Sequence, residues 1–322
     1  MEIKLWGVRG SFPTTLSSKF IEEKIITALT IARPGDISSE ESIRAFVANL
    51  PLSVKGTYGG NTTCIEVRTC SGELIIIDCG AGLVNLGKEL MEGDFGKGKG
   101  SANIFLTHTH WDHIHGIPFF GPMYIKGNRF NFYSPLSDLR KRIEYQQAKT
   151  HFPVTLDEME ASKKFFTVKY DEFFYINDIK IYTKSMPHPG GSHGIRIEDG
   201  EKIFVYTSDC EFNVNAIDDI SAYEDFFKNA DLLIFDTQYT FQESLIDKTS
   251  WGHSSASIAI DIAVRHEAKK LVLFHHDPDY SDDKLNSNLS NARAYINANR
   301  KIKDDFIIEM AYEGMRFDLK NN

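Results

Sequence analysis

His108-Thr109-His110-Trp111-Asp112-His113 packs three histidines and one aspartate into six residues. The chain has only 11 histidines in 322 residues, so this crowding is a signal. Imidazole suits zinc and other transition metals, and a carboxylate adds charge compensation. The spacing H-x-H-x-D-H suits two ions. His108 and His110, two apart, can project to one side where a strand ends. Asp112 and His113 then turn the corner toward a neighbouring ion. The run directly follows Ile104-Phe105-Leu106, a short buried strand.

Outward from this run the same plan recurs. Leu74-Ile75-Ile76-Ile77 ends in Asp78-Cys79-Gly80, and Leu232-Leu233-Ile234-Phe235 ends in Asp236. Leu271-Val272-Leu273-Phe274 ends in His275. Further strands are predicted at 64–68, 164–168, 173–185, 194–198, 202–207 and 306–318. Helices are predicted at 83–91, 138–149, 156–162, 218–228, 254–266 and 281–299. Strands and helices alternate in two similar halves, and apolar strands end in chemically active residues. Two mixed sheets packed together with helices outside would bury such strands. Residues 16–51 read differently. Phe20, Ile21, Ile25, Ile26 and Leu29 recur at helical spacing, Pro34-Gly35 breaks the run, and Ser39 starts a second helix. This is a helical insertion between two strands.

Hydrophobic residues make up 42% and charged residues 25%, which excludes a disordered chain. No apolar run is long enough to span a membrane, and the first residues lack a secretory pattern. Cys64, Cys70, Cys79 and Cys210 sit at unrelated spacings, as reduced thiols of a cytoplasmic protein do. The net charge of −9 argues against a nucleic-acid clamp, but not against a phosphate-bearing substrate held by metal ions.

The histidine run resembles the signature of the metallo-β-lactamase superfamily, which implies an αββα sandwich over 1–322 as a single domain. The resemblance implies further ligands. His188 in Pro187-His188-Pro189-Gly190-Gly191, Asp209 in Thr207-Ser208-Asp209-Cys210, and His275 match the family's remaining positions. One metal would take His108, His110, His188 and Asp209. The other would take Asp112, His113, His275 and Asp209. Asp78 matches an early aspartate that orients a ligand histidine. Gly7-Val8-Arg9-Gly10-Ser11, Tyr58-Gly59-Gly60-Asn61-Thr62 and Ala311-Tyr312-Glu313-Gly314-Met315 are similar to the branch of phosphoribosyl cyclic and tRNase Z-like phosphodiesterases. Gly59, Gly60 and Asn61 then become candidate substrate contacts, though a tight turn also explains the glycines. His193 lies near the His188 loop and could line the pocket.

His253, in Trp251-Gly252-His253-Ser254-Ser255, matches a histidine that assists at the phosphate or leaving group in tRNase Z-like members. Asp236 fits the carboxylate that orients it, and the implied catalytic residues are Asp112, His253 and Asp236. The resemblance implies two divalent metal ions, zinc or manganese, with iron also compatible. It implies a phosphodiesterase in which a hydroxide held between the metals attacks phosphorus. The expected substrate is a small phosphodiester, a cyclic nucleotide or sugar phosphate, with no membrane partner. The insertion is expected to flank the pocket or to make a homodimer contact. Alternatives are a hydrolase of carboxylic esters, lactones or β-lactams on the same metals, a tRNA 3′-processing endonuclease, and a non-catalytic metal-binding module.

Overall fold

The computed structural model describes residues 1–212, 218–299, 302 and 305–320. The first half of the chain supplies β1 (Glu2–Gly7), β2 (Cys64–Arg68), β3 (Leu74–Ile77), β4 (Ser101–Phe105), β5 (Arg129–Ser134) and β6 (Ser162–Thr167). The second half supplies β7 (Phe173–Ile176), β8 (Ile179–Met186), β9 (Ser192–Asp199), β10 (Lys202–Tyr206), β11 (Leu232–Asp236), β12 (Lys270–Phe274) and β13 (Ile307–Met310). The last strand, β14 (Arg316–Asp318), returns to the first sheet. The orders are β14-β1-β2-β3-β4-β5-β6 and β13-β12-β11-β10-β9-β8-β7. Both sheets are mixed. β3 to β6 run parallel to their neighbours, as do β10 to β13, and the remaining pairings are antiparallel.

The near-continuous apolar strands are explained by burial on both faces. In β3, Ile75 and Ile77 point between the sheets, while Leu74 and Ile76 face the outer helices. In β12, Val272 and Phe274 point between the sheets, and Leu271 and Leu273 face outward. Phe105, Phe204, Tyr206 and Ile234 complete the shared inner layer. Helices cover both outer faces, giving the αββα arrangement. Among the described residues, no helix is long and apolar enough to cross a membrane. All four cysteines are free, and only Cys70 is exposed.

The insertion folds as α1 (Ser18–Ile31), a 3₁₀ turn (Pro34–Ile37), α2 (Glu40–Asn49) and α3 (Leu52–Lys55). Ser17 caps α1 through Phe20 N, and Ser39 caps α2 through Ser42 N.

Several sequence expectations need correction. Residues 156–162 hold only a 3₁₀ turn, Leu156–Glu158, closed by the Thr155–Glu158 capping box, before β6 begins. The span 173–185 is a hairpin, broken where Asn177 takes a left-handed φ of 52°. The span 306–318 is two strands in different sheets, separated by a turn with Gly314 at φ 85°. β5, with alternating burial, was not anticipated.

Candidate metal centre

Every candidate donor sits where a strand ends. β4 stops at Phe105, and the chain carries His108 and His110 into a single helical turn on the rim, Trp111–Ile114, in which Asp112 and His113 are buried. His188 follows β8, Asp209 follows β10, Asp236 closes β11, and His275 follows β12. Parallel strands deliver their C-terminal ends to one rim, where α/β sheets hold ligands. The bends are sharp. Asp78, Ser208 and His275 take left-handed φ values of 58°, 57° and 63°, a region that L-residues with side chains seldom occupy. Ser11, at φ 61°, brings its amide to Asp112 Oδ2 at 2.8 Å.

Ligand atoms of His108, His110, His188 and Asp209 lie within 4.8 Å of one another, as do those of Asp112, His113, Asp209 and His275. The two sets share Asp209, and its oxygens divide between them. Oδ2 is 3.5 Å from His108 Nε2 and 3.7 Å from His188 Nε2. Oδ1 is 3.2 Å from His113 Nε2 and 3.1 Å from His275 Nε2. Asp112 Oδ2 is 3.3 Å from both His113 Nε2 and His275 Nε2.

The donor set fits divalent cations. His108 Nε2, His113 Nε2 and Asp209 Oδ1 are buried and make no hydrogen bond. Buried polar atoms otherwise find partners, and a cation satisfies all three at once. Burial takes His108 down to about 4 and lowers His110 and His188, so these imidazoles are neutral and ready to ligate near neutral pH. Burial opposes ionisation of Asp209, but His113, His275 and His108 outweigh it and hold the carboxyl well below its usual range.

The rings are fixed from behind. His113 Nδ1 is 2.8 Å from Asp78 Oδ2, and Thr107 donates its amide and hydroxyl to the same carboxylate. His188 Nδ1 donates to Gly252 O at 2.8 Å. His275 Nδ1 donates to Gln238 Oε1 at 2.9 Å. Gln238, Thr107, the Ser11 amide and the Gly252 carbonyl were missed by the sequence reasoning. Only Gln238 carried a signal, two residues past the strand-end Asp236.

His253 lies beside this set. Its Nδ1 is 2.8 Å from Asp236 Oδ2, which also accepts the Cys210 amide at 3.0 Å. The ring stacks on His275 at 5.0 Å between centroids and meets the edge of Tyr239 at 5.3 Å. Burial pushes the His253 imidazole down, but the Asp236 carboxylate prevails and raises it to about 9.

The four candidate substrate residues make the following contacts within the chain. Both ring nitrogens of buried His193 are engaged, Nδ1 by Thr107 O and Nε2 by Tyr170 OH at 2.5 Å. Gly59 O accepts from Arg9 Nε at 2.8 Å, and Gly60 O accepts from Thr14 N at 2.8 Å. Asn61 donates its amide and Nδ2 to Glu313. A side chain on Gly60 would meet Thr14 O at 1.7 Å, so the glycine permits close packing of the insertion's root. These residues brace the scaffold around the rim.

Asp78→Asn is expected to turn an N–H toward the His113 Nδ1 proton and disorder that ring. Affinity for an ion held by the set containing His113 should fall about 10–100-fold. Chelator competition measures this, and unchanged affinity would show that Thr107 alone holds the rim.

An αββα sandwich carrying two clusters of His and Asp donors that share one carboxylate is the framework of a metal-dependent hydrolase. A family model described as "Beta-lactamase superfamily domain" matches residues 74–276, most of the chain, and the chain belongs to that superfamily. The ribonuclease Z of Prochlorococcus marinus (strain MIT 9515) is 23% identical over 275 residues, 67% of this chain and 82% of that protein. The ribonuclease Z of Picrophilus torridus is 26% identical over 233 residues, 61% of this chain and 74% of its own. Among solved structures, the metallo-beta-lactamase fold protein YhfI from Bacillus subtilis aligns with a TM-score of 0.62 at 20% identity, covering 98% of both chains. Human tRNase Z, short form, aligns at 0.59 and 17% identity over 99% of both.

Proposed function

We propose that the chain, read as one domain over 1–322 with an insertion at 16–51, is a binuclear metal-dependent phosphodiesterase. Its substrate is a small phosphodiester, cyclic or linear, of a nucleotide or sugar. The observation that carries this reading is the His253–Asp236 pair at 2.8 Å, set against the donor cluster. Its imidazole is placed to protonate a leaving alkoxide, which departs far more readily when protonated, and the relatives called ribonuclease Z favour a phosphodiester over a carboxylic ester, lactone or β-lactam as the substrate.

His108, His110, His188 and Asp209 would hold one divalent ion, and Asp112, His113, His275 and Asp209 the other. Zinc and manganese both suit these donors, as does iron. When bound, such ions supply an activated water nucleophile and Lewis-acid stabilisation of developing charge. The protein's own residues do the rest. Two divalent ions would bring more positive charge than the two carboxylates of the donor sets, Asp112 and Asp209, offset, so the loaded pocket would draw a phosphate into an otherwise acidic protein. Asp112, fixed by the Ser11 amide, orients the attacked face. Asp236 locks His253 in the tautomer that keeps a proton on Nδ1, so Nε2 faces the site. In its charged form that nitrogen donates to the leaving oxygen. The relatives called ribonuclease Z support a second reading, processing of tRNA 3′ ends.

Assays of the zinc- or manganese-loaded protein on bis(p-nitrophenyl) phosphate, a lactone and nitrocefin separate the reaction classes. Phosphodiester hydrolysis well above the other two is the expected result, and the reverse order overturns the proposal. Among natural substrates, cyclic and short linear nucleotides should be cleaved faster than a precursor tRNA transcript. Preference for the transcript would establish the second reading.

A further inference from the structure

The insertion has no core of its own. Neither α1 nor α2 contains a buried residue, although both are rich in isoleucine and other large apolar side chains. On α1, Ile21, Ile25 and Leu29 follow one another at i, i+4 and i+8, and they are 47%, 55% and 65% exposed. Ile26 beside them is 49% exposed. α2 adds the pair Ile43 and Val47, each 42% exposed. A helix of fourteen residues is marginal by itself in water, and packing of an apolar face normally supplies its stability. Here that face is bare.

The flank of α1 beside the stripe is anchored. Lys24 Nζ donates to Asp282 Oδ2 at 2.7 Å and to the Ser53 carbonyl, tying the helix to α3 and to the long helix Asp282–Ala298. With the helix tied down there, Ile25 and Leu29 still stand more than half exposed.

We infer that this face of α1 is covered by the same face of a second copy of the chain, across a two-fold axis near Ile25. Three observations select that occupant. First, the stripe is symmetric about Ile25, with Ile21 and Leu29 equidistant from it. Antiparallel pairing then sets Ile25 against Ile25 and Ile21 against Leu29, the self-complementarity that an isologous contact needs. Ridges spaced by four residues also interlock in the commonest mode of helix packing. Second, the bare area is large. Half-exposed side chains of this size leave on the order of 80–100 Å² bare each, so the four on α1 alone give roughly 320–400 Å², the size of patch that marks an interaction site, and Ile43 and Val47 on α2 add to the apolar surface of the segment. Third, residues 16–51 carry four basic and five acidic side chains. Balanced charge suits a like surface. It does not suit an anionic bilayer, which selects clustered Lys and Arg and would repel a chain of net charge −9.

The contact would bear on the site through its root. Thr14 is clamped to Gly60 and to the Pro278 carbonyl, and three residues earlier the Ser11 amide holds Asp112.

The test uses the full-length, metal-loaded protein. Light scattering over about 1–100 µM should show a dimer, and Ile25→Glu combined with Leu29→Glu should give a folded monomer that keeps its metal. In a Cys70→Ser background, Ile25→Cys should form an intermolecular disulfide under mild oxidation. Glu92→Cys, exposed on another helix, should not. A wild-type monomer throughout the range overturns the inference. So does a dimer that survives the double substitution without Ile25→Cys cross-linking. Co-sedimentation of monomeric protein with neutral or anionic vesicles would assign the face to a lipid surface instead.

Discussion

Asp209→Ala should abolish phosphodiesterase activity and reduce metal content below two ions per chain. Asp209 is the one carboxylate shared by both donor sets, with Oδ2 facing His108 and His188 and Oδ1 facing His113 and His275. Its removal takes a charge from each set at once. Two bound dications would also lose the one carboxylate whose charge would serve both sets. Lost electrostatic stabilisation of several kcal/mol corresponds to a rate loss of about 10²–10³-fold at least. Asp209→Asn keeps the shape and loses the charge, so it should fail similarly and separate electrostatics from packing. Metal analysis and turnover measured on the same sample decide the matter. A fully metallated, fully active Asp209→Ala protein would sink the shared-carboxylate arrangement.

His253→Ala should behave in the opposite way with respect to metal. Both ions stay, because the seven donors of the two sets remain. For substrates with alkoxide-like leaving groups, kcat should drop about 10²–10⁴-fold. For p-nitrophenyl esters the loss should be much smaller, since p-nitrophenolate leaves with little need of a proton. Asp236→Asn should give a weaker loss with the same dependence on leaving group, because it loosens the ring without deleting the donor. A merely structural role for Asp236 would lower both substrate classes equally. Equal losses in His253→Ala would point to phosphate binding by the imidazole. Loss of metal there would make His253 a ligand, an arrangement for which the proximity of Asp209, Asp236, His253 and His275 provides the donors.

The His108–His113 run and the strand-end positions were legible because their determinants are local, whereas His188 and Asp209 came into the candidate set only through the family resemblance. Apolar strands buried on two faces read as continuous runs, and the residue after each run is the one the rim receives. Asp78, Asp236 and His275 all follow such runs. The supports were less legible because they are made by the backbone or by contacts between distant segments. The Gly252 carbonyl behind His188 and the Ser11 amide on Asp112 leave no side-chain trace. Gly59, Gly60 and Asn61 illustrate the converse. Their pattern is conspicuous, yet the hydrogen bonds they make go to Arg9, Thr14 and Glu313, in the scaffold. The split of residues 306–318 between the two sheets was hidden because both strands are short, four residues and three. The helical spacing of α1 was plain, but periodicity names an apolar face without saying what covers it.

The left-handed residues at the strand ends set a limit on how stable this protein can become. Each non-glycine residue held there costs on the order of 1–2 kcal/mol. Glycine would relieve that cost at Asp78 and His275, and would delete the carboxylate behind His113 or a metal donor. Ser208 is the exception. Its hydroxyl donates to Thr107 Oγ1 at 2.8 Å and pairs with the Tyr206 hydroxyl, so Ser208→Gly gives up these contacts, and no candidate metal donor, in exchange for a relaxed backbone. Selection for thermal endurance alone would therefore find improvement at 208. At 78 and 275 it would meet a trade-off in which each gain in stability is a loss of function.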